Sequence, residues 1–143
     1  MSYTTPTSRL HRTVRKLSRF STTVPASGLE QIRCLLPHDE HVLGCYLGNH
    51  DVEHIFFTDS SAIFTDRQER KILKVPYSAI KDIDFPLPAS SSVDLKLCLH
   101  DGTAKFLRVI GVAGNTRDVF EVGRFFMRVV ADFKNLNLKN GQL

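Results

Sequence analysis

The sequence predicts a mainly β domain: a seven-stranded antiparallel barrel closed by a C-terminal α-helix, with a short N-terminal helix before the first strand. Three observations predict it. Short apolar runs recur between turn residues, as in Ile55-Phe56-Phe57 and Ala62-Ile63-Phe64 on either side of Thr58-Asp59-Ser60-Ser61. Val93, Leu95, Leu97 and Leu99 alternate with Asp94, Lys96, Cys98 and His100, the period of a strand with one buried face. Val119, Val122, Phe126, Val129, Phe133 and Leu136 recur three and four apart, the stripe of a helix that buries one side.

Length and composition bound the rest. The 143 residues suit one domain with tails, and 42% apolar content is ordinary for a globular chain. Residues 1–27 read as a basic, mostly disordered tail with an amphipathic stretch, 28–136 as the domain, and 137–143 as a polar, disordered tail. No apolar run approaches the ~18–20 residues of a membrane span. The basic N-terminus is not followed by an apolar stretch, so no signal peptide is expected. Cys34, Cys45 and Cys98 are an odd, scattered set, which points to reduced thiols in a cytoplasmic protein rather than a disulfide framework. The net charge of +4 is uneven. Arg9, Arg12, Arg15, Lys16 and Arg19 precede the first acid, Glu30, so residues 1–29 carry +5 and the remainder −1. The basic pI of 9.1 therefore describes the tail and is no argument for a nucleic-acid-binding core.

In chain order, Ser8–Phe20 sets Leu10, Val14, Leu17 and Phe20 at helical spacing, with the basic residues on the remaining face. Three readings stay open. It is a solvated tail, since so short an isolated helix is marginal in water; or a helix for an anionic membrane or a partner's groove; or a targeting segment, Arg- and Ser-rich and acid-poor. Arg9, Arg12, Arg15, Lys16 and Arg19 would make the membrane or partner contact. Ser21–Ser27 is a linker by composition, and Ser27 is placed to cap a helix over Leu29–Leu36 that Pro37 ends. Strands are expected over His41–Leu47, Glu53–Thr58, Ala62–Asp66, Lys71–Val75, Lys81–Phe85, from Val93 through Leu99, and over Ala104–Ile110. Pro76 opens a corner after the fourth, Pro86–Ser92 forms an exposed loop after the fifth, and Asp101-Gly102 turns the last hairpin. Gly111–Gly114 leaves the sheet, and Asn115 or Thr116 caps the closing helix.

Several local stretches fall in an order that resembles the bacterial pleckstrin-homology (PH) domains. They are Cys34-Leu35-Leu36-Pro37, then Glu40-His41-Val42-Leu43, then Phe57-Thr58-Asp59 to Ile63-Phe64, then Val75-Pro76-Tyr77-Ser78-Ala79-Ile80. An Asp-Gly hairpin and a Phe-rich closing helix complete the likeness, which spans about Leu29–Lys134. The resemblance implies a PH-like barrel and a binding or assembly module, often oligomeric; the superfold alone chooses no ligand. It departs from the phosphoinositide-binding kind. The loop between the first two predicted strands, Gly48-Asn49-His50-Asp51-Val52-Glu53, holds two acids and no Lys or Arg, where inositol phosphates need several cationic donors.

Other constellations carry little chemistry. His50-Asp51-Val52-Glu53-His54 matches a zinc-protease pattern that works on a helix. In an extended chain its two histidines stand about 13 Å apart, too far to share a zinc. His38, Asp39 and His41 read as surface residues without a cysteine at ligand spacing. Gly111–Thr116 precedes a helix but lacks the P-loop Lys-Ser/Thr. Asp66 and Glu69 interrupt the cations Arg67, Arg70, Lys71 and Lys74, so nucleic acid is not an expected partner. No catalytic, cofactor or metal residues are assigned, and no cofactor is expected. The expected function is a non-enzymatic protein-binding or self-assembly module, with protein, peptide or a second copy as partner. Its surface would be an exposed sheet edge or the groove beside the C-terminal helix, with the fifth predicted strand and the Pro86–Ser92 loop as the edge. The alternative is a peripheral membrane module held by the basic N-terminal segment.

Overall fold

The computed structural model describes residues 9–10, 12–48, 54–86, 94–111 and 117–140, with side chains as far as 135. Among the described residues, eight strands form two antiparallel sheets. The first sheet is ordered β1 (Phe20–Ser21), β2 (Val42–Tyr46), β3 (Ile55–Thr58), β4 (Ser61–Thr65) and β5 (Ile72–Pro76). The second is β6 (Ile80–Asp84), β7 (Asp94–Leu99) and β8 (Ala104–Arg108). Helix α1 is Ala26–Ile32, continued by a 3-10 turn at Arg33–Leu35, and α2 is Arg117–Asn140. The seven predicted strands lie where expected to within about two residues; β1 is additional.

The two sheets bury different numbers of faces, and the sequence pattern follows. Ile55, Phe57, Ala62 and Phe64 point into the main core, while Phe56, Ile63 and Cys45 on the reverse face pack under Ile32 of α1. Strands covered on both sides read as continuous apolar runs. In β7, Leu95 and Leu97 are fully buried whereas Lys96 and Cys98 are half-buried, so alternation survives. Helix α2 lays Val119, Val122, Phe125, Phe126 and Val129 over the core. The Phe125 ring meets Phe57 and Tyr77 edge-on, with centroids 5.1 and 5.7 Å apart, a favoured aromatic geometry.

The predicted barrel takes the form of two sheets stitched at their corners. The Arg67 amide donates to the Phe106 carbonyl at 2.8 Å, and the buried Asp66 carboxylate accepts the Phe106 amide at 2.7 Å. At the opposite end the His100 amide donates to the Ala79 carbonyl at 3.0 Å, and the Tyr77 hydroxyl to the Thr58 carbonyl at 2.8 Å.

Three boundaries differ from expectation. Helix α1 begins at Ala26 with Pro25 as its N-cap residue, so Ser27 sits inside the first turn and Leu29 is exposed. Helix α2 continues through Asn140, past the predicted end. Most consequentially, residues 9–10 and 12–21 are not a tail. Leu10 (3% exposed) and Val14 (0%) lie in the main core, and Leu17 and Phe20 pack against it. The Phe20 ring lies over Gly44, where a Cβ would come within 2.1 Å, so only glycine admits it. The apolar stripe of Ser8–Phe20 thus meets the core of its own chain. The proposed caps Asn115 and Thr116 fall outside the described residues.

Candidate functional site

Two polar knots hold the frame around the surface of interest. Glu40, just before β2, takes hydrogen bonds from the Thr58 and Ser61 hydroxyls and from the Lys74 ammonium, which joins the β3–β4 turn to β5. Burial alone would raise its carboxyl. The donors Lys74, Ser61, Thr58 and Ser60 outweigh that and lower it to about 2. Tyr46 donates its hydroxyl to the buried Asp118 carboxylate, tying β2 to the first turn of α2, and burial with that carboxylate pushes the phenol well up.

The surface lies between β6 and α2. Among the described residues, strand β6 is paired on one side only, with β7, and so forms an edge. The chain leaves it through Phe85 and Pro86. The Phe85 ring stacks on Phe120 at 5.7 Å and 9°. It also lies on Gly123, where a Cβ would stand 2.2 Å from the ring, so glycine lets the aromatic side chain settle flat on the helix. A groove of about 770 Å³ opens beside this stack. Its apolar wall is Phe85, Pro86, Phe120, Met127 and Ala131; its charged rim is Glu121, Arg124 and Arg128. Phe120 (37%) and Met127 (51%) are the most exposed large apolar side chains of α2 among the described residues.

The sequence-predicted residues are distributed as follows. Arg9 grips Asp132 of α2 in a two-pronged pair, Nε to Oδ2 at 2.8 Å and Nη2 to Oδ1 at 2.7 Å. Arg12, Arg15 and Lys16 are exposed, while Arg19 is half-buried. The edge expected at the fifth strand is β6; of the Pro86–Ser92 loop only Pro86 is described, at the groove. His54 is buried, and its Nδ1 accepts the Gly48 amide at 3.0 Å, a role in the chain's own fold; His50 to Glu53 fall outside the described residues. Among the described residues no three His, Cys, Asp or Glu side chains gather as a metal site. In the β4–β5 hairpin, Lys74 pairs with Glu40, Lys71 with Glu69 at 3.3 Å, and Arg67 lies 3.8 Å from Asp94. The three cysteines are free, and burial pushes the Cys45 thiol up to about 12, which leaves it inert. No described helix is long and apolar enough to cross a membrane.

No protein-family model and no curated protein matches the sequence. Among solved structures, the chain is similar to a DUF1696 family protein with a pleckstrin-homology domain from Shewanella loihica PV-4, with a TM-score of 0.50. The match covers 78% of this chain and 97% of that one at 15% identity. The fold is PH-like. This agrees with the architecture that the sequence resemblance implied, and at such identity the likeness speaks for the backbone alone. In this PH-like frame, the Glu40 to Lys74 knot gives physical content to the Glu-His-Val-Leu and Phe-Thr-Asp stretches: they form one buried polar lock. Sequence reasoning missed Phe120 and Met127 as surface residues. The signal was present, because both lie off the 119, 122, 126, 129, 133 stripe.

Proposed function

We propose that the chain is a non-enzymatic PH-like module that binds a protein segment, from another protein or from a second copy, along β6 and the groove on α2. The groove carries this reading: exposed Phe120 and Met127 line a concavity next to a strand edge that no other described strand pairs. Edge strands offer backbone donors and acceptors to an added strand, and adjoining pockets read its side chains. Support for a non-enzymatic role comes from the inert Cys45 thiol and from Tyr46 and Tyr77, whose buried phenols are held neutral. The free cysteines support a reducing, cytoplasmic setting. The test has two arms. Light scattering across the micromolar range, on wild type and Met127→Glu, reads self-association; selection of displayed random peptides on the same pair reads hetero-binding. A strictly monomeric chain that also enriches no peptide above the variant refutes the module.

A second reading, peripheral attachment to an anionic membrane, is favoured by one observation. Docking of the N-terminal segment onto α2 pools their charges: residues 9–19 and 117–134 hold nine Lys and Arg against three carboxylates, net +6, leaving −2 elsewhere. The attachment would be electrostatic, at roughly 1 kcal/mol per basic residue near the surface, because the apolar stripe is used in the core. Co-sedimentation with phosphatidylserine vesicles that is unchanged in an Arg12→Glu/Arg15→Glu/Lys16→Glu variant would end it.

A further inference from the structure

We propose that the α2 groove takes an acidic segment with an apolar anchor: a large apolar side chain lodged against Phe120 and Met127, and carboxylates set on Arg124 and Arg128. This rests on the binding-module reading above and names the chemistry of the partner.

Two of the three acids of α2 lie outside the groove lining. Asp118 accepts the Tyr46 hydroxyl and Asp132 is gripped by Arg9, which leaves Glu121 as the one carboxylate lining the groove among the described residues. Arg124 and Arg128 are exposed, lie one turn apart on the rim, and have no carboxylate within ion-pair distance among the described residues. Two guanidiniums without a carboxylate partner among the described residues, beside exposed Phe120 and Met127, match a ligand with carboxylates next to a hydrophobic residue. The open groove of about 770 Å³ has room for more than a single side chain. The net +6 that the docked N-terminal segment and α2 carry together would draw an acidic partner from a distance. A planar anionic surface suits the site less well. Exposed Asp82 and Asp84 flank the start of the Phe85-Pro86 wall and Glu121 sits on the rim, and a narrow segment avoids these where a flat sheet of headgroups meets them.

The test is selection of a displayed random peptide library on the full chain, on Arg124→Glu/Arg128→Glu, and on Met127→Glu. The expected wild-type peptides combine Asp or Glu with a large apolar residue and bind the double variant about tenfold more weakly. The double variant is expected to select basic peptides instead. Peptides of no charge bias that fail only on Met127→Glu would keep the groove as a binding site and overturn the acidic partner. No enrichment above Met127→Glu would overturn both. Loss of phosphatidylserine-vesicle binding in the double variant, with no peptide selected, would assign the surface to a membrane and overturn the inference. Should the double variant fail to fold by near-UV circular dichroism, the salt dependence of peptide binding to wild type decides: affinity that does not fall with rising salt overturns the proposal.

Discussion

Replacing Glu40 by glutamine keeps the shape of the side chain and removes its charge from the Lys74, Thr58 and Ser61 knot. The side chain is 5% exposed and its partner Lys74 24%, so solvent screens the pair little. The carboxyl lies at about 2 in the fold against 4.5 unfolded. That difference of roughly 2.5 units, at 1.36 kcal/mol each, gives about 3 kcal/mol of stability at neutral pH. The sign follows from a lowered folded value: the contribution is full above the unfolded value and is lost as pH falls through the folded one. Linkage gives about 3 kcal/mol at pH 7, less than half of that at pH 3 and little at pH 2. Urea unfolding of wild type and Glu40→Gln across this range measures it, as the gap between their unfolding free energies. A gap that stays constant with pH, or one below about 1 kcal/mol at pH 7, would refute the assignment of Glu40 as a charged lock.

Three further outcomes are expected. Gly123→Ala puts a methyl 2.2 Å from the Phe85 ring and should cost about 1–3 kcal/mol while unstacking Phe85 from Phe120, measured by urea unfolding and by aromatic NMR shifts. Val14→Asp, which buries a carboxylate without a partner in the main core, should lower stability by several kcal/mol in thermal unfolding; a change under about 0.5 kcal/mol would restore the tail reading. With a thiol reagent near pH 8, exposed Cys34 should be labelled rapidly and Cys45 only on unfolding, followed by mass spectrometry.

What the sequence disclosed depends on how each element is buried. Strand β7 was legible because one of its faces meets water, and β3 and β4 because flanking turn residues framed runs that are buried twice. The closing helix was legible for the same reason as any one-sided helix. The N-terminal segment was not, because Leu10, Val14, Leu17 and Phe20 make the same stripe whether they dock at home or on a partner. Its destination depends on Gly44 and Asp132, at positions 44 and 132 of the chain, which no local pattern links to Phe20 and Arg9. Glu40 was read as part of a motif, but its partners at 58, 61 and 74 become visible only when three strands are brought together. The groove needed both a sheet edge and a helix to be placed before Phe120 and Met127 could be told from core.

The Arg9–Asp132 pair connects the docked N-terminal segment to the charge of the groove. Asp132 stands four residues after Arg128, a spacing at which helix side chains meet, and Arg9 holds its carboxylate on the other side. Arg9→Ala should therefore act twice. It removes a two-pronged, part-buried pair, at a cost of about 1 kcal/mol in unfolding. It also frees Asp132 to pair with Arg128, which lowers the positive charge facing the groove although Arg9 does not line it. Acidic peptides selected on wild type should then bind several-fold more weakly, and the Arg9→Ala/Asp132→Ala double variant should recover most of that loss without recovering the stability. Recovery of neither would mean that the N-terminal segment positions α2 mechanically; recovery of affinity alone identifies Asp132 as the carboxylate that the segment keeps away from the groove.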